Sequence, residues 1–79
     1  MLKPRFNGQA EDGVLVGRAG KYDVWATPFG LECIYMDGDG KVCYTRHTWS
    51  RFRGGAFNHW PENLKLKLKA VGAMMETTP

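Results

Sequence analysis

Through its middle third the chain alternates hydrophobic and polar positions with a period of two, broken at regular intervals by Gly, Pro and Asp. Val14-Leu15-Val16 opens a strand that fades by Arg18-Ala19, and Gly20 marks a first turn. Tyr22, Val24 and Ala26 then alternate with Asp23, Trp25 and Thr27, the pattern of a half-buried strand. Pro28-Phe29-Gly30 ends it, because Pro removes a ladder donor and Gly permits positive φ. Leu31 to Met36 reads as a third strand and Lys41 to Arg46 as a fourth. Between them Asp37-Gly38-Asp39-Gly40 is the strongest hairpin signal in the chain. Four successive strands with short turns predict an antiparallel meander, each strand beside its sequence neighbour.

A two- or four-residue loop over Asp37–Gly40 sets Met36 against Lys41, Tyr35 against Val42, Ile34 against Cys43 and Cys33 against Tyr44. One sheet face then carries Leu31, Cys33, Tyr35, Val42 and Tyr44, and is expected to be the core face. The other carries Glu32, Ile34, Met36, Lys41, Cys43 and Thr45. In this register Cys33 and Cys43 point to opposite faces, where side chains cannot bridge. Two reduced, small hydrophobes are the expectation, since disulfide scaffolds of this size carry four or more cysteines.

After the meander the period changes. Thr48 is placed to cap a short helical turn over Trp49–Arg53, stopped by Gly54-Gly55. Ala56 to Trp60 is an irregular aromatic link. Pro61-Glu62 opens a helix, with Pro in the first turn and a carboxylate at the positive dipole end. Leu64 to Lys69 alternates Leu and Lys as a strand would, yet as a helix it aligns Leu64, Leu68, Val71 and Met75 on one stripe. The Leu, Lys, Ala, Met and Glu content favours helix. The expected fold class is α+β: a small four-stranded antiparallel β-meander with a C-terminal helix packed on one face, Leu64, Leu68, Val71 and Met75 meeting Leu31, Cys33, Tyr35, Val42 and Tyr44. An SH3-like small barrel with Leu64–Val71 as a fifth strand is the alternative. Residues 1–12, with Pro4 and Asn7-Gly8, read as a loose arm pinned by Leu2 and Phe6. Residues 13–76 read as a single domain and 77–79 as a frayed tail.

At 79 residues the chain supports one small core, burying about 60% of its unfolded surface. Its 43% hydrophobic content is too high for disorder. No run reaches the ~18 apolar residues of a membrane span, and Met1–Arg5 lacks a secretory stretch. The expectation is a cytoplasmic domain (host cytoplasm if encoded by a phage) with no membrane partner. Charge is unevenly spread. Residues 1–40 hold four cations and six anions, residues 41–79 seven cations and two anions. Such asymmetry marks a basic half suited to phosphate or to an acidic partner.

Candidate chemistry is sparse. Asp37 and Asp39 lack the further ligands of a calcium loop, with Lys41 and Thr48 where acids would stand. Of Cys33, Cys43, His47 and His59 only Cys43 and His47 approach zinc spacing, and on a strand they lie roughly 13 Å apart. A Cys–His nucleophile pair has no Gly-rich elbow and too little chain to enclose a substrate cleft. No metal, cofactor or small-molecule substrate is expected, nor enzymatic activity. The stretch Arg46-His47-Thr48-Trp49-Ser50-Arg51-Phe52-Arg53 interleaves cations with aromatics. Three readings fit it: aromatics closing the core under outward arginines, Trp and Arg as anchors of a protein interface, or a stacking and phosphate surface for nucleic acid. With Trp60, Lys65 and Lys69 added, the candidate partner-binding residues are Arg46, Trp49, Arg51, Phe52, Arg53, Trp60, Lys65 and Lys69.

In size and style the chain resembles the small, motif-free proteins of bacteriophages and mobile elements, anti-CRISPR proteins among them, many of which dock on host enzymes or defence complexes. The resemblance implies a non-enzymatic binding module that docks on a macromolecular partner, a protein or nucleoprotein complex, as an inhibitor. A small nucleic-acid-binding domain using residues 46–53 is the alternative.

Overall fold

The computed structural model describes residues 12–76. The arm expected over 1–12, with Leu2 and Phe6, lies outside the described residues but for Asp12, as does the tail 77–79. The elements run β1 (Val14–Ala19), β2 (Tyr22–Thr27), β3 (Gly30–Met36), β4 (Val42–Thr48), α1 (Trp49–Arg53) and α2 (Glu62–Met75). The four strands form one antiparallel sheet in the order β1-β2-β3-β4. This is the expected α+β meander with a C-terminal helix, and residues 64–71 are helical rather than the fifth strand of a barrel.

Each turn is made by its own chemistry. Gly20 takes φ +61° at the first position of the two-residue turn that pairs Ala19 with Tyr22, the place where a hairpin turn demands positive φ. At the next turn the Thr27 hydroxyl accepts from the Phe29 and Gly30 amides, both at 3.1 Å, and donates to the Gly30 carbonyl. Pro28 supplies a preset φ there. Gly30 sits so close to β4 that a Cβ would collide with the His47 carbonyl oxygen.

The third hairpin departs from expectation by one residue. The Gly40 amide donates to the Asp37 carbonyl at 3.1 Å, and Gly40 adopts φ +84°. The Asp37 amide donates to the Lys41 carbonyl at 2.9 Å, so Asp37 and Lys41 close a three-residue loop of the turn-plus-bulge kind. The Asp37 carboxylate accepts from the Asp39 and Lys41 amides, both at 2.9 Å, and so stabilises this longer turn. The register becomes Met36 with Val42, Tyr35 with Cys43, Ile34 with Tyr44 and Cys33 with Thr45. A slip of one residue moves every β4 side chain to the other face. Cys43, Thr45 and His47 therefore join Leu31, Cys33 and Tyr35, while Val42 and Tyr44 leave that face. Cys33 and Cys43 share a face as diagonal neighbours rather than opposing one another. Both are free thiols, Cys33 buried and Cys43 exposed. Burial pushes the Cys33 thiol pKa up, with a smaller opposing effect of its hydrogen bond to Thr45.

The core joins Ala19, Val24, Ala26, Leu31 and Cys33 of the sheet to Trp49, Phe52, Phe57, Leu64 and Leu68. The stripe on α2 faces inward as its spacing requires: Leu64 and Leu68 are buried, and Val71 and Met75 pack partly against them. Its main seat, however, is β1 and β2 rather than β3 and β4. Small residues explain the choice. Gly17, Ala19 and Ala26 leave room for a helix, and a Cβ on Gly17 would come to 3.0 Å from a Leu64 methyl carbon. The β1–β2 register shifts between Leu15 and Gly17, just where Leu64 of the helix comes close to β1. β4 is instead met by α1 and by Phe57, whose ring lies 4.9 Å from that of His47.

Candidate functional site

The Thr48 hydroxyl accepts from the Arg51 amide at 3.1 Å, which caps α1 and fixes the direction of its five residues. Helical spacing of three then puts Trp49 and Phe52 on one side, while Arg51 and Arg53, two residues apart, project to solvent from opposite flanks, Arg53 beside the groove. The inward pair is core: Trp49 is 4% exposed and Phe52 7%. The Trp49 indole N–H donates to the Thr27 carbonyl at 2.9 Å, a polar anchor inside the apolar cluster. Its ring also lies against α2, so closely that a Cβ on Gly72 would come within 2.7 Å of it. Of the three readings of residues 46–53, the one in which aromatics close the core fits Trp49 and Phe52. Trp49 and Phe52 are withdrawn from solvent, and Thr48, Ser50, Arg51 and Arg53 are exposed around them.

Three depressions follow one another along α1. The first, of about 360 Å³, lies between α1 and the C-terminal half of α2, over Trp49, Phe52, Leu68, Gly72 and Ala73. Arg53, Lys69 and Glu76 form its polar edge. A second, of about 300 Å³, shares Trp49 and Glu76 with it and continues to Pro28 and Phe29. Phe29 is 72% exposed at the tip of the β2–β3 turn. A third, of about 120 Å³, shares Phe52, Arg53 and Lys69 with the first and is completed by Gly55, Phe57, Asn58, Glu62 and Lys65. The result is a track, apolar at the Phe29 end and cationic at the Lys65 end.

The charged groups along it are held unequally. Arg53 makes a two-pronged ion pair with Glu76, which ties α1 to the end of α2. Hydrogen bonding from Arg53 lowers the Glu76 pKa, and the same bond raises that of Arg53. Lys65 donates to the Asn58 carbonyl at 3.0 Å and lies 3.2 Å from Glu62. Arg51 and Lys69 take part in no ion pair among the described residues.

Of the sequence-based candidates, Phe52, Arg53, Lys65 and Lys69 converge on this track with Trp49 beneath it. Arg51 projects from α1 close enough to His47 for its charge to lower the His47 pKa, after the larger effect of burial. Trp60 stands apart, its ring centroid 4.3 Å from that of Phe57. Arg46 is on the sheet face away from the helices, a consequence of the register slip. There its Nε donates to the Tyr44 hydroxyl at 2.9 Å, and its Nη2 lies 3.5 Å from Glu32. The Tyr44 hydroxyl donates to Glu32 at 2.7 Å. Glu32, 1% exposed, is thus the hub of a buried polar network that belongs to the sheet. Phe29, Gly72 and Ala73 were not legible as site residues. Phe29 looked like turn punctuation, and only the approach of Trp49 to Gly72 makes that helix turn a groove.

Among the described residues no group of three or more His, Cys, Asp or Glu side chains is placed to hold a metal ion. Among the same residues no helix is long and apolar enough to cross a membrane. Comparison with protein-family models, with curated proteins and with solved structures finds no match.

Proposed function

We propose that this chain is a non-enzymatic binding module that docks on a protein partner through the track along α1, and that the partner contributes an acidic segment bearing an apolar side chain. The observation that carries the reading is the open apolar groove over Trp49, Phe52, Leu68 and Gly72 with Arg53 and Lys69 on its edge. Interfaces concentrate their energy where an apolar anchor enters a well-packed pocket, with charges at the rim directing approach. Lys69, on the groove's edge, forms no ion pair among the described residues, so an acidic segment would supply the carboxylate it lacks. A module of this kind acts by occupying a surface of its partner, and inhibition of a host enzyme or defence complex is the form of action its size and style suggest.

The alternative, nucleic acid bound by residues 46–53, draws less support. Its stacking rings are buried and Arg46 faces away from Arg51 and Arg53.

A titration of isotope-labelled protein with an amphipathic Leu/Glu peptide, followed by amide chemical shifts, tests the reading. Shifts are expected at Arg53, Lys69, Gly72 and Ala73, and should vanish in Ala73→Phe, which fills the groove from an exposed position. Shifts spread evenly over all cationic residues, or identical in Ala73→Phe, would overturn it.

A further inference from the structure

A fourth depression, of about 380 Å³, lies beyond the track, where the β1–β2 turn meets the start of α2. Its walls are Ala19, Lys21, Tyr22, His59, Trp60 and Pro61. Trp60 has one ring face committed to Phe57, at 4.3 Å between centroids, and stands only partly buried. Tyr22 meets Tyr35 edge to face at 5.7 Å. The Lys21 ammonium rides 4.3 Å above the Tyr35 ring and 5.9 Å from that of Tyr22, which holds it at the mouth of the hollow. Both rings are therefore braced from behind by other aromatics.

The polar groups here are complementary to one kind of ligand. The ammonium of Lys21 and the indole N–H of Trp60 are donors only, the hydroxyl of Tyr22 and the imidazole of His59 can each donate as well, and the lining contains no carboxylate. A proline-rich segment in the polyproline II conformation is the reverse: its prolines lack N–H groups, and its carbonyls project unpaired. Its flat, rigid rings lie well on aromatic walls, and it brings little ordering cost because the conformation is preformed. A single-stranded nucleic acid would also stack on these rings, but the hollow offers its phosphates one full positive charge, from Lys21, where polyanion binding draws on many. We propose that the Tyr22–Trp60 hollow is a docking site for a proline-rich segment of a partner protein, independent of the track along α1.

The test is a titration with oligoproline of about ten residues, read by the Trp60 indole N–H resonance and the Lys21 and Tyr22 amides. Oligothymidylate and a Gly/Ser peptide of similar length run in parallel. Oligoproline should shift these signals saturably, and the Gly/Ser peptide should not. Trp60→Phe keeps the packing on Phe57 while removing the indole donor, and should weaken binding about fivefold or more. Lys21→Glu, at an exposed turn, should weaken it without touching the core. Three results would each overturn the proposal: no shift with oligoproline up to millimolar concentration, equal affinity in Trp60→Phe and Lys21→Glu, or tighter and salt-dependent binding of oligothymidylate at the same signals. Shifts confined to Gly72 and Ala73 would instead move proline recognition to the groove on α1 and remove it from this hollow.

Discussion

Two faces of one short helix carry opposite kinds of energy. On the inner face of α1, Trp49 and Phe52 are buried, ring against ring at 6.0 Å, with a hydrogen bond to Thr27 beneath them. Outside that face Arg51 and Arg53 stand in solvent on its two flanks, Arg51 without an ion pair among the described residues and Arg53 paired with Glu76. Burying an aromatic ring contributes several kcal/mol, whereas an exposed ion pair contributes between nothing and about 1 kcal/mol. Stability therefore resides on one side of the helix, and the other side is free to serve recognition at little cost to the fold.

The most direct way to break this comparison is Trp49→Ala. It deletes a core aromatic and leaves the Thr27 carbonyl without its donor, so a loss of about 3–5 kcal/mol is expected. That approaches the whole stability of a domain this size. Chemical denaturation should show a domain largely unfolded without denaturant, and a midpoint near that of the unmodified chain would return Trp49 to the surface. Gly72→Ala probes the same ring from α2. Ala should gain about 1 kcal/mol over Gly in a helix. Here its Cβ would meet the Trp49 ring at 2.7 Å, so a net loss of about 1–2 kcal/mol is expected from overpacking. A stabilised Gly72→Ala would mean that the ring yields easily and the groove is soft.

His47 lies between the two faces, against Phe57 on one side and within reach of Arg51 on the other. Burial first, and Arg51 second, lower its pKa from the ordinary 6.5. The unfolded chain then binds a proton more readily than the fold, so stability should decline as pH falls below 6.5 and through the lowered folded pKa. Proton titration by NMR should place His47 below 6.5, and Arg51→Ala should move it back upward. A midpoint above 6.5, or one indifferent to Arg51→Ala, would contradict the placement. The smallest effect belongs to the outer face. Replacing Arg51 and Arg53 together by Ala should leave the denaturation midpoint almost unchanged, while weakening an acidic ligand and reducing its salt dependence. Destabilisation comparable to Trp49→Ala would erase the distinction between the faces.

The elements were readable because each is signalled locally. Period-two alternation gave the strands, Gly and Pro the turns, Thr48 the cap, and the four-residue spacing of Leu64 and Leu68 the helix stripe. What was not readable depends on decisions taken at a distance or by a single atom. Whether Asp37–Gly40 closes an even or an odd loop turns on the Asp37 carboxylate reaching two amides at once, and that choice reassigned all of β4. It is the reason Arg46 left the candidate site. Likewise the seat of α2 was chosen by the absence of side-chain bulk at Gly17 and Ala26, a negative feature that hydrophobic patterning does not register. The inward turn of Trp49 and Phe52 was within reach, since a spacing of three on a capped helix puts both on one side. Arg51 between them and Arg53 beside them give the same stretch the composition of an exposed basic surface.

The order of the meander has a consequence for how the chain folds. Every strand pairs with its immediate neighbour, so the sheet assembles from hairpins whose ends are only a few residues apart, the topology associated with rapid formation. The helix that covers β1 and β2 comes last in this sequence of elements. During synthesis the first hairpin must exist without its cover until α2 has emerged, and an uncovered two-stranded unit is at best marginally stable. Chains halted before residue 62 are accordingly expected to present Val24 and Ala26 to chaperones or to one another.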